Sequence, residues 1–155
     1  MHLNTPNAMI CPRILAILVK GGEVMDWQKC MNQALDYVEN NLSGDIDYYA
    51  AAKILNCSEW EFRRIFSFLA QIPLSEYIRR RRLSVAAEDI RKGEKIIDVA
   101  MRYGYDSQAA FSRAFSRFHG AAPSLARDEG IALKTFPRLT LQTNINGGDW
   151  YKKES

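Results

Sequence analysis

Residues 96–120 read IIDVAMRYGYDSQAAFSRAFSRFHG and contain two short helical patterns joined by a turn. The first pattern ends at Gly104, Ser107 stands at the N-cap position of the second, and Gly120 ends the second. In the first pattern the apolar residues at helical spacing are Ile96, Ile97, Ala100 and Met101. In the second pattern the residues expected to face inward are Phe111, Ala114, Phe115 and Phe118. Two short helices joined by a tight turn form a helix-turn-helix.

A similar arrangement occurs 49 positions earlier in the chain. Asp47 is placed to cap the first helix of this earlier unit, and Ser58 with Glu61 predicts a capping box at the start of the second helix. The inward stripe of that second helix is Phe62, Ile65, Phe66 and Leu69. The matched pairs are Ala51 with Ala100, Ser58 with Ser107, Phe62 with Phe111, Arg64 with Arg113 and Phe66 with Phe115. The sequence therefore predicts two helix-turn-helix units.

Two further helical patterns flank and connect these units. One covers residues 26–42, and a longer one starts after Pro73 and continues to about Arg91. We therefore predict an all-α, homeodomain-like fold with a helix-turn-helix domain over residues 26–128. It divides into a first helix-turn-helix subdomain (26–72), a linker helix (73–92) and a second subdomain (93–128).

The two termini differ from the helical region between them. Residues 1–24 share no pattern with that region and are predicted to be a disordered leader. Residues 129–155 read as extended chain and turns, with Pro137 and Asn146-Gly147-Gly148. This tail is either an extension docked on the helical domain or the beginning of a domain that the chain does not complete.

Composition excludes several classes of protein. The three cysteines are odd in number and widely spaced, which indicates a reducing, cytoplasmic setting. No apolar run approaches the roughly 18 residues that a membrane span needs. No glycine-rich phosphate loop, nucleophile motif or metal-ligand spacing is present, so we expect no enzyme activity, no catalytic residues, no metal and no cofactor. His119 is expected to be a favourable charge at the negative end of a helix dipole.

The outward faces of the two second helices carry side chains suited to reading DNA. They are Trp60, Arg63, Arg64 and Ser67 in the first unit, and Gln108, Ala109, Ser112, Arg113 and Ser116 in the second. Arginine pairs bidentately with guanine, glutamine pairs with adenine, and small apolar groups contact thymine methyls. The alternative is that these are merely solvated helix faces. The repetition of the same pattern in both units favours DNA binding over this alternative.

Arginine is concentrated at residues 79–82, which point in nearly every direction around a helix. We predict phosphate contacts for Arg79, Arg81 and Arg117, and Arg102 is a weaker surface candidate of the same kind. The alternative is that the arginines of the run pack by their stems or pair with Glu76 or Glu88.

Residues 97–100, 103–108, 111–115 and 120–124 together resemble the signature of the AraC/XylS family of bacterial transcription regulators. The likeness extends over residues 26–128. It implies an all-helical domain of about seven helices in which one polypeptide binds an asymmetric site on double-stranded DNA through two recognition helices. It also implies that activation proceeds through contact with RNA polymerase. Ala126 departs from the family pattern, which often has an aromatic residue there.

Residues 133–148 resemble the segment that joins this domain to a GyrI-like ligand-binding domain in some family members. Because the sequence stops at Ser155, we expect no small-molecule effector. One chain contains two helix-turn-helix units and no coiled-coil heptad, which predicts that it binds DNA as a monomer. Two other functions stay open: a non-specific DNA binder that uses its arginines only on phosphate, and a protein-interaction fragment with a degenerate reading head.

Overall fold

The computed structural model describes residues 27–141 and 151–153. The predicted leader (1–24) lies outside these residues. The described part contains six α-helices, a 3-10 helix and two short strands. The helices are α1 (Trp27–Asn40), α2 (Tyr48–Ile54), α3 (Glu59–Ala70), α4 (Leu74–Arg91), α5 (Ile96–Arg102) and α6 (Gln108–His119), followed by the 3-10 helix Pro123–Arg127 and the strands β1 (Leu139–Leu141) and β2 (Tyr151–Lys153). The all-α prediction is confirmed.

The chain forms two compact units that differ in outline from the predicted subdomains. The first unit contains the described residues up to Val38, Asp47–Leu74 and those from Leu139 onward. The second contains Glu39–Ile46 and Ser75–Arg138. The linker helix is thus part of the second unit from Ser75 onward, and the tail is divided between the units.

In the first unit, the predicted apolar stripes form one core. The buried residues come from α1 (Met31, Ala34, Leu35, Val38), from α2 and the turn after it (Ala51, Ala52, Leu55), and from α3 (Phe62, Ile65, Phe66). Burial of each large side chain contributes about 1.5–3 kcal/mol, so this small unit depends on every one of them.

The end of the tail docks on the first unit. Leu139 and Leu141 are buried. The Asn32 side chain donates to the Leu141 carbonyl oxygen (2.9 Å) and accepts from the Leu141 backbone N–H (2.8 Å), and the Gln28 side chain donates to the same carbonyl (2.8 Å). β1 pairs with β2 in antiparallel register, Leu139 opposite Lys153. The tail therefore contacts the first unit through residues 139–141.

In the second unit, α4 provides the centre of the core through Leu83, Ala86, Ala87 and Ile90. Phe111 and Phe115 of α6 are buried as predicted, whereas Ala114 and Phe118 are only partly buried. Ala126 is fully buried, so the 3-10 helix packs without the family's aromatic residue.

The buried face of α5 differs from the sequence pattern. Val99 and Ala100 are buried, but Ile97 is 38% exposed and Met101 is 55% exposed. A helix of seven residues has only two turns, so its apolar spacing does not define one face.

Arg81 belongs to a partly buried polar cluster. Its guanidinium donates to both carboxylate oxygens of Glu39 (2.9–3.2 Å) and to the carbonyl of Phe136 (2.5 Å), and the Tyr77 hydroxyl donates to Glu39 (2.6 Å). The side chains of Arg81 and Glu39 are only 13% and 7% exposed. This corrects the predicted phosphate contact of Arg81, because its guanidinium is already engaged inside the unit.

The other arginines of the run are also engaged. Arg79 and Arg80 both donate to Glu76, as one alternative predicted, and Arg82 donates to the carbonyls of Leu42 (2.9 Å) and Gly44 (2.6 Å). Arg102 pairs with Asp89 and Glu94, which gives it a structural role.

His119 is buried, which corrects its predicted role as an exposed charge. Its Nε2 lies 2.9 Å from the Leu83 carbonyl oxygen and therefore donates to it. Burial lowers the pKa of His119 below its ordinary value, and the hydrogen bond to Leu83 offsets only part of this. The ring is therefore neutral at pH 7.

None of the helices within residues 27–141 has the length and apolar character that a membrane crossing requires.

We expect Glu39→Gln to lower the free energy of unfolding by about 3 kcal/mol, because it leaves the Arg81 charge buried without its partner. The matched control is Glu59→Gln, which breaks the exposed Glu59–Arg63 pair and should cost less than about 1 kcal/mol. Urea denaturation measures both, and equal losses would contradict the structural importance of the buried pair.

We also expect stability to fall as the pH drops below about 6.5, the ordinary histidine pKa. The lowered pKa of His119 in the folded state means that the unfolded chain takes up the proton first, so acid favours unfolding. The loss should not exceed about 1.4 kcal/mol per pH unit, the limit for one proton. His119→Phe keeps an aromatic ring and should remove this slope in urea denaturation between pH 7 and 5. A slope that survives the substitution would assign it to other groups.

Candidate nucleic-acid interface

The first helix-turn-helix is built by α2, a short turn and α3. Asp47 caps α2 by accepting from the backbone N–H groups of Tyr49 (2.9 Å) and Ala50 (3.1 Å). In the turn, Asn56 adopts the left-handed conformation at a φ of 56°, which asparagine tolerates better than most residues.

The predicted capping box at the start of α3 is confirmed. The Glu61 carboxylate accepts from the Ser58 backbone N–H (2.9 Å), and the Ser58 hydroxyl accepts from the Glu61 N–H (3.2 Å). Both bonds satisfy N–H groups that the first helical turn leaves without partners. The box fixes where α3 begins and hence which residues of its first two turns point outward.

Trp60 and Arg64 lie next to each other on the outward face of α3. Trp60 is 60% exposed although it is the largest side chain of the helix, in line with its predicted position off the buried stripe. The Arg64 guanidinium carbon lies 4.6 Å from the centre of a Trp60 ring, a cation–π distance. This contact orients Arg64 and leaves its N–H groups available for other acceptors.

Arg63 is held more tightly than Arg64. It donates to Glu59 through Nε (3.1 Å) and Nη2 (2.8 Å), and its guanidinium carbon lies 4.1 Å from the centre of the Tyr48 ring. Ser67 is half-buried one turn further on. The sequence analysis did not predict that Glu59 and Tyr48 contact Arg63. The spacing of four residues between Glu59 and Arg63 indicates an ion pair on one helix face, whereas Tyr48 lies on a different helix and gives no such signal.

The second helix-turn-helix has the same order of elements, but Lys95 at the start of α5 makes no side-chain cap, whereas Asp47 caps α2. Gly104 makes the turn at a φ of 81°, in the left-handed region that favours glycine. Ser107 caps α6 by accepting from the Ala110 N–H (3.1 Å). Ala110 occupies the position of Glu61 in the first unit, so the capping box and its negative charge are absent from α6.

The outward side chains of α6 make fewer contacts within the protein than those of α3. Gln108, Ala109 and Arg113 are exposed, and Ser112 and Ser116 are half-buried beside them. Within the described residues, Arg113 makes no ion pair or side-chain hydrogen bond. Because α6 contains no carboxylate, whereas α3 has two in its first turn, its surface is the more positively charged of the two.

The remaining candidates for phosphate contact are Arg79 and Arg117. The Arg79 side chain is 41% exposed while it pairs with Glu76, and Arg117 is exposed in the last turn of α6. The hydrogen bond from Arg79 holds the pKa of Glu76 at about 2, so this carboxylate stays charged at neutral pH. In the part of the chain that the structure describes, no group of acidic, histidine or cysteine side chains is arranged to hold a metal ion.

A family model described as a helix-turn-helix domain matches residues 51–129, about half of the chain. This range begins within α2 and contains the rest of both helix-turn-helix units.

Several curated proteins are similar to the chain. The HTH-type transcriptional activator AarP of Providencia stuartii is 34% identical over 98 residues, covering 63% of this chain and 73% of that protein. The regulatory protein SoxS of Salmonella typhimurium is 35% identical over 101 residues, covering 64% of this chain and 94% of that protein. The probable transcription factor PqrA of Proteus vulgaris is 31% identical, covering 76% and 98%.

Solved structures of similar fold are also transcription or response regulators. The C-terminal domain of AraT, a response regulator from Geobacillus stearothermophilus, superposes with a TM-score of 0.55 at 28% identity, covering 63% of this chain and 83% of that one. An AraC-type transcriptional regulator from Chromobacterium violaceum shares the fold, with a TM-score of 0.58 at 20% identity and coverage of 64% and 90%.

Proposed function

The chain belongs to the AraC/XylS family of transcription regulators, with a helix-turn-helix domain that binds DNA, and we propose that it recognises a specific operator by placing α3 and α6 in two adjacent major-groove segments of one duplex.

The observation that supports this proposal most is the repeated placement of one arginine. Arg64 and Arg113 stand 49 positions apart, each six residues after a serine N-cap and each on an exposed helix face. A merely solvated surface does not require this repeat, whereas a protein that reads two similar grooves does.

Each outward side chain suits a definite type of DNA contact. We assign Arg64 and Arg113 to guanine edges, because a guanidinium pairs bidentately with the guanine O6 and N7 atoms. Gln108 suits adenine and Ala109 suits a thymine methyl group. Trp60 supports Arg64 and contacts the sugar edge beside it.

The remaining assignments concern the DNA backbone. Ser67, Ser112 and Ser116 are short, half-buried side chains that can hydrogen-bond to groove-edge atoms or phosphates. Arg79 and Arg117 are assigned to phosphates. Arg81 is left out because Glu39 holds it.

The two reading helices should contribute unequally. In α3, Glu59 offsets the charge of Arg63, and the carboxylates at the start of the helix repel phosphate. The helix α6 contains no carboxylate, so neither effect applies to it. We therefore assign the larger share of electrostatic affinity to α6. Arg63 joins the interface by exchanging part of its pairing with Glu59 for a DNA acceptor.

A single chain with two reading helices suits an asymmetric site whose two boxes lie roughly 34–36 Å, or one helical turn, apart. We accordingly propose that the chain binds as a monomer. We also propose that it activates transcription by contacting RNA polymerase, since AarP is described as a transcriptional activator.

We expect selection from a random duplex library to enrich an asymmetric motif with two boxes. Arg64→Ala and Arg113→Ala should each relax the base preference in one box only, and the double variant should lose both. The matched control is Lys53→Ala with Lys95→Ala, which removes two exposed cations outside the proposed interface. Enrichment that is equal in all proteins would favour a structural origin of the repeat, and no enrichment at all would favour a non-specific binder.

We expect Arg79→Gln to weaken binding to all duplexes by a similar factor and to reduce the slope of log K against log salt by about 1, because it removes one phosphate contact. Fluorescence anisotropy at several salt concentrations measures this for the selected operator and a scrambled duplex. A loss confined to the operator would instead make Arg79 a base-reading residue.

A further inference from the structure

The second unit contains a pocket of about 510 Å³ between α4, the last turn of α6 and the tail. Four cationic side chains line it: Arg79 and Arg80 from α4, Arg117 from α6, and Lys134 from the tail. They come from three separate stretches of sequence, so sequence reasoning gave no indication that they meet.

Positive charge predominates in this pocket. Glu76 is the carboxylate that pairs with Arg79 and Arg80, and it offsets only one of the four charges. The side chains of Arg117 and Lys134 are exposed and form no hydrogen bond or ion pair with the described part of the chain. A bound anion would relieve the mutual repulsion of these groups.

The pocket also has an aromatic wall formed by Phe118 and Phe136. Both rings are only partly buried, which leaves apolar surface open to a ligand. The Arg80 guanidinium carbon lies 5.3 Å from the centre of the Phe136 ring, so charge and apolar surface adjoin. The pocket is open to solvent, and its volume is large enough to accept a small organic molecule.

The tail side of the pocket is fixed in place before any ligand binds. The Phe136 N–H donates to the Ser84 hydroxyl (2.8 Å), and the Phe136 carbonyl accepts from Arg81. Ser84 in turn donates to the Arg80 carbonyl (2.9 Å). Such preorganisation lowers the entropic cost of binding.

We propose that this pocket binds a small organic anion whose carboxylate or phosphate group is held by Arg117 and Lys134 and whose ring lies against Phe118 and Phe136. A backbone phosphate of DNA would use the same cations but would leave the aromatic wall unused. The site lies within the helix-turn-helix unit itself, so it needs no separate effector domain, and it revises the expectation that no small molecule binds.

Binding at this pocket should oppose binding to DNA. Arg79 and Arg117 are also the residues proposed to contact DNA phosphates, and the same groups cannot serve both partners at once. By reciprocity, the ligand weakens DNA binding by the factor by which DNA weakens ligand binding. This second step rests on the proposed function, whereas the pocket itself does not.

The test uses phenyl phosphate as the probe and the full chain without DNA. Calorimetric titration at low ionic strength should show phenyl phosphate binding roughly tenfold more tightly than inorganic phosphate, with no binding of phenol. Amide NMR should place the largest shifts around Phe118 and Phe136. Arg117→Gln with Lys134→Gln should weaken phenyl phosphate roughly tenfold, whereas the charge-matched control Lys53→Gln with Lys95→Gln should leave its affinity unchanged.

Phenyl phosphate binding no tighter than inorganic phosphate would overturn the proposal, as would an equal loss in the control variant. If the Arg117, Lys134 variant then bound duplex DNA more weakly, the pocket would be a site for backbone phosphate only. Displacement of a labelled duplex by phenyl phosphate tests the competition separately. Failure of the chain to select any operator would overturn the proposed function but leave the calorimetric result intact.

Discussion

The second unit depends on a pair of opposite charges that are removed together from water. Glu39 and Arg81 would each be costly to bury alone, and their mutual contact with two further hydrogen bonds makes the arrangement tolerable. The pair joins the end of α1, the middle of α4 and the tail at Phe136. The positions of the adjacent Arg79 and Arg80, and of the tail residues that line the pocket beside them, depend on this junction.

The parts of the fold that the sequence predicted are those governed by local chemistry. Caps at Asp47, Ser58 and Ser107 depend on neighbours within a few positions, and the buried phenylalanines follow from helical spacing. The predictions were wrong where a residue distant in sequence determines the contacts of a side chain. Arg81 was assigned to a DNA phosphate, but Glu39 binds it from 42 positions away, and His119 was assigned a charge at the helix end, but the ring is hydrogen-bonded to Leu83, 36 positions away. The proposed contacts of the reading helices remain predictions of the same local kind.

The helices α3 and α6, which we propose to read DNA, occupy equivalent positions in their units but differ in charge. In α3, Glu61 strengthens the start of the helix and Glu59 restrains Arg63, so both carboxylates add local order while they reduce the attraction to phosphate. In α6, Ala110 replaces the box and Arg113 is unrestrained in the described structure. On the proposed function, α6 supplies more of the attraction to phosphate than α3 does, a difference that two identical units would not provide.

The contact between Asn32 and Leu141 spans 109 positions of the chain. The first unit begins near the start of the helical domain, yet its last strand is synthesised only after the whole second unit. During translation, α1 to α3 therefore emerge before the strand that contains Leu139 and Leu141, so the surface that contacts these residues stays uncovered while the ribosome makes roughly seventy more residues. Such a non-local closure slows folding relative to helical domains built from local contacts alone. A nascent chain halted before the tail would expose an apolar surface to chaperones and proteases.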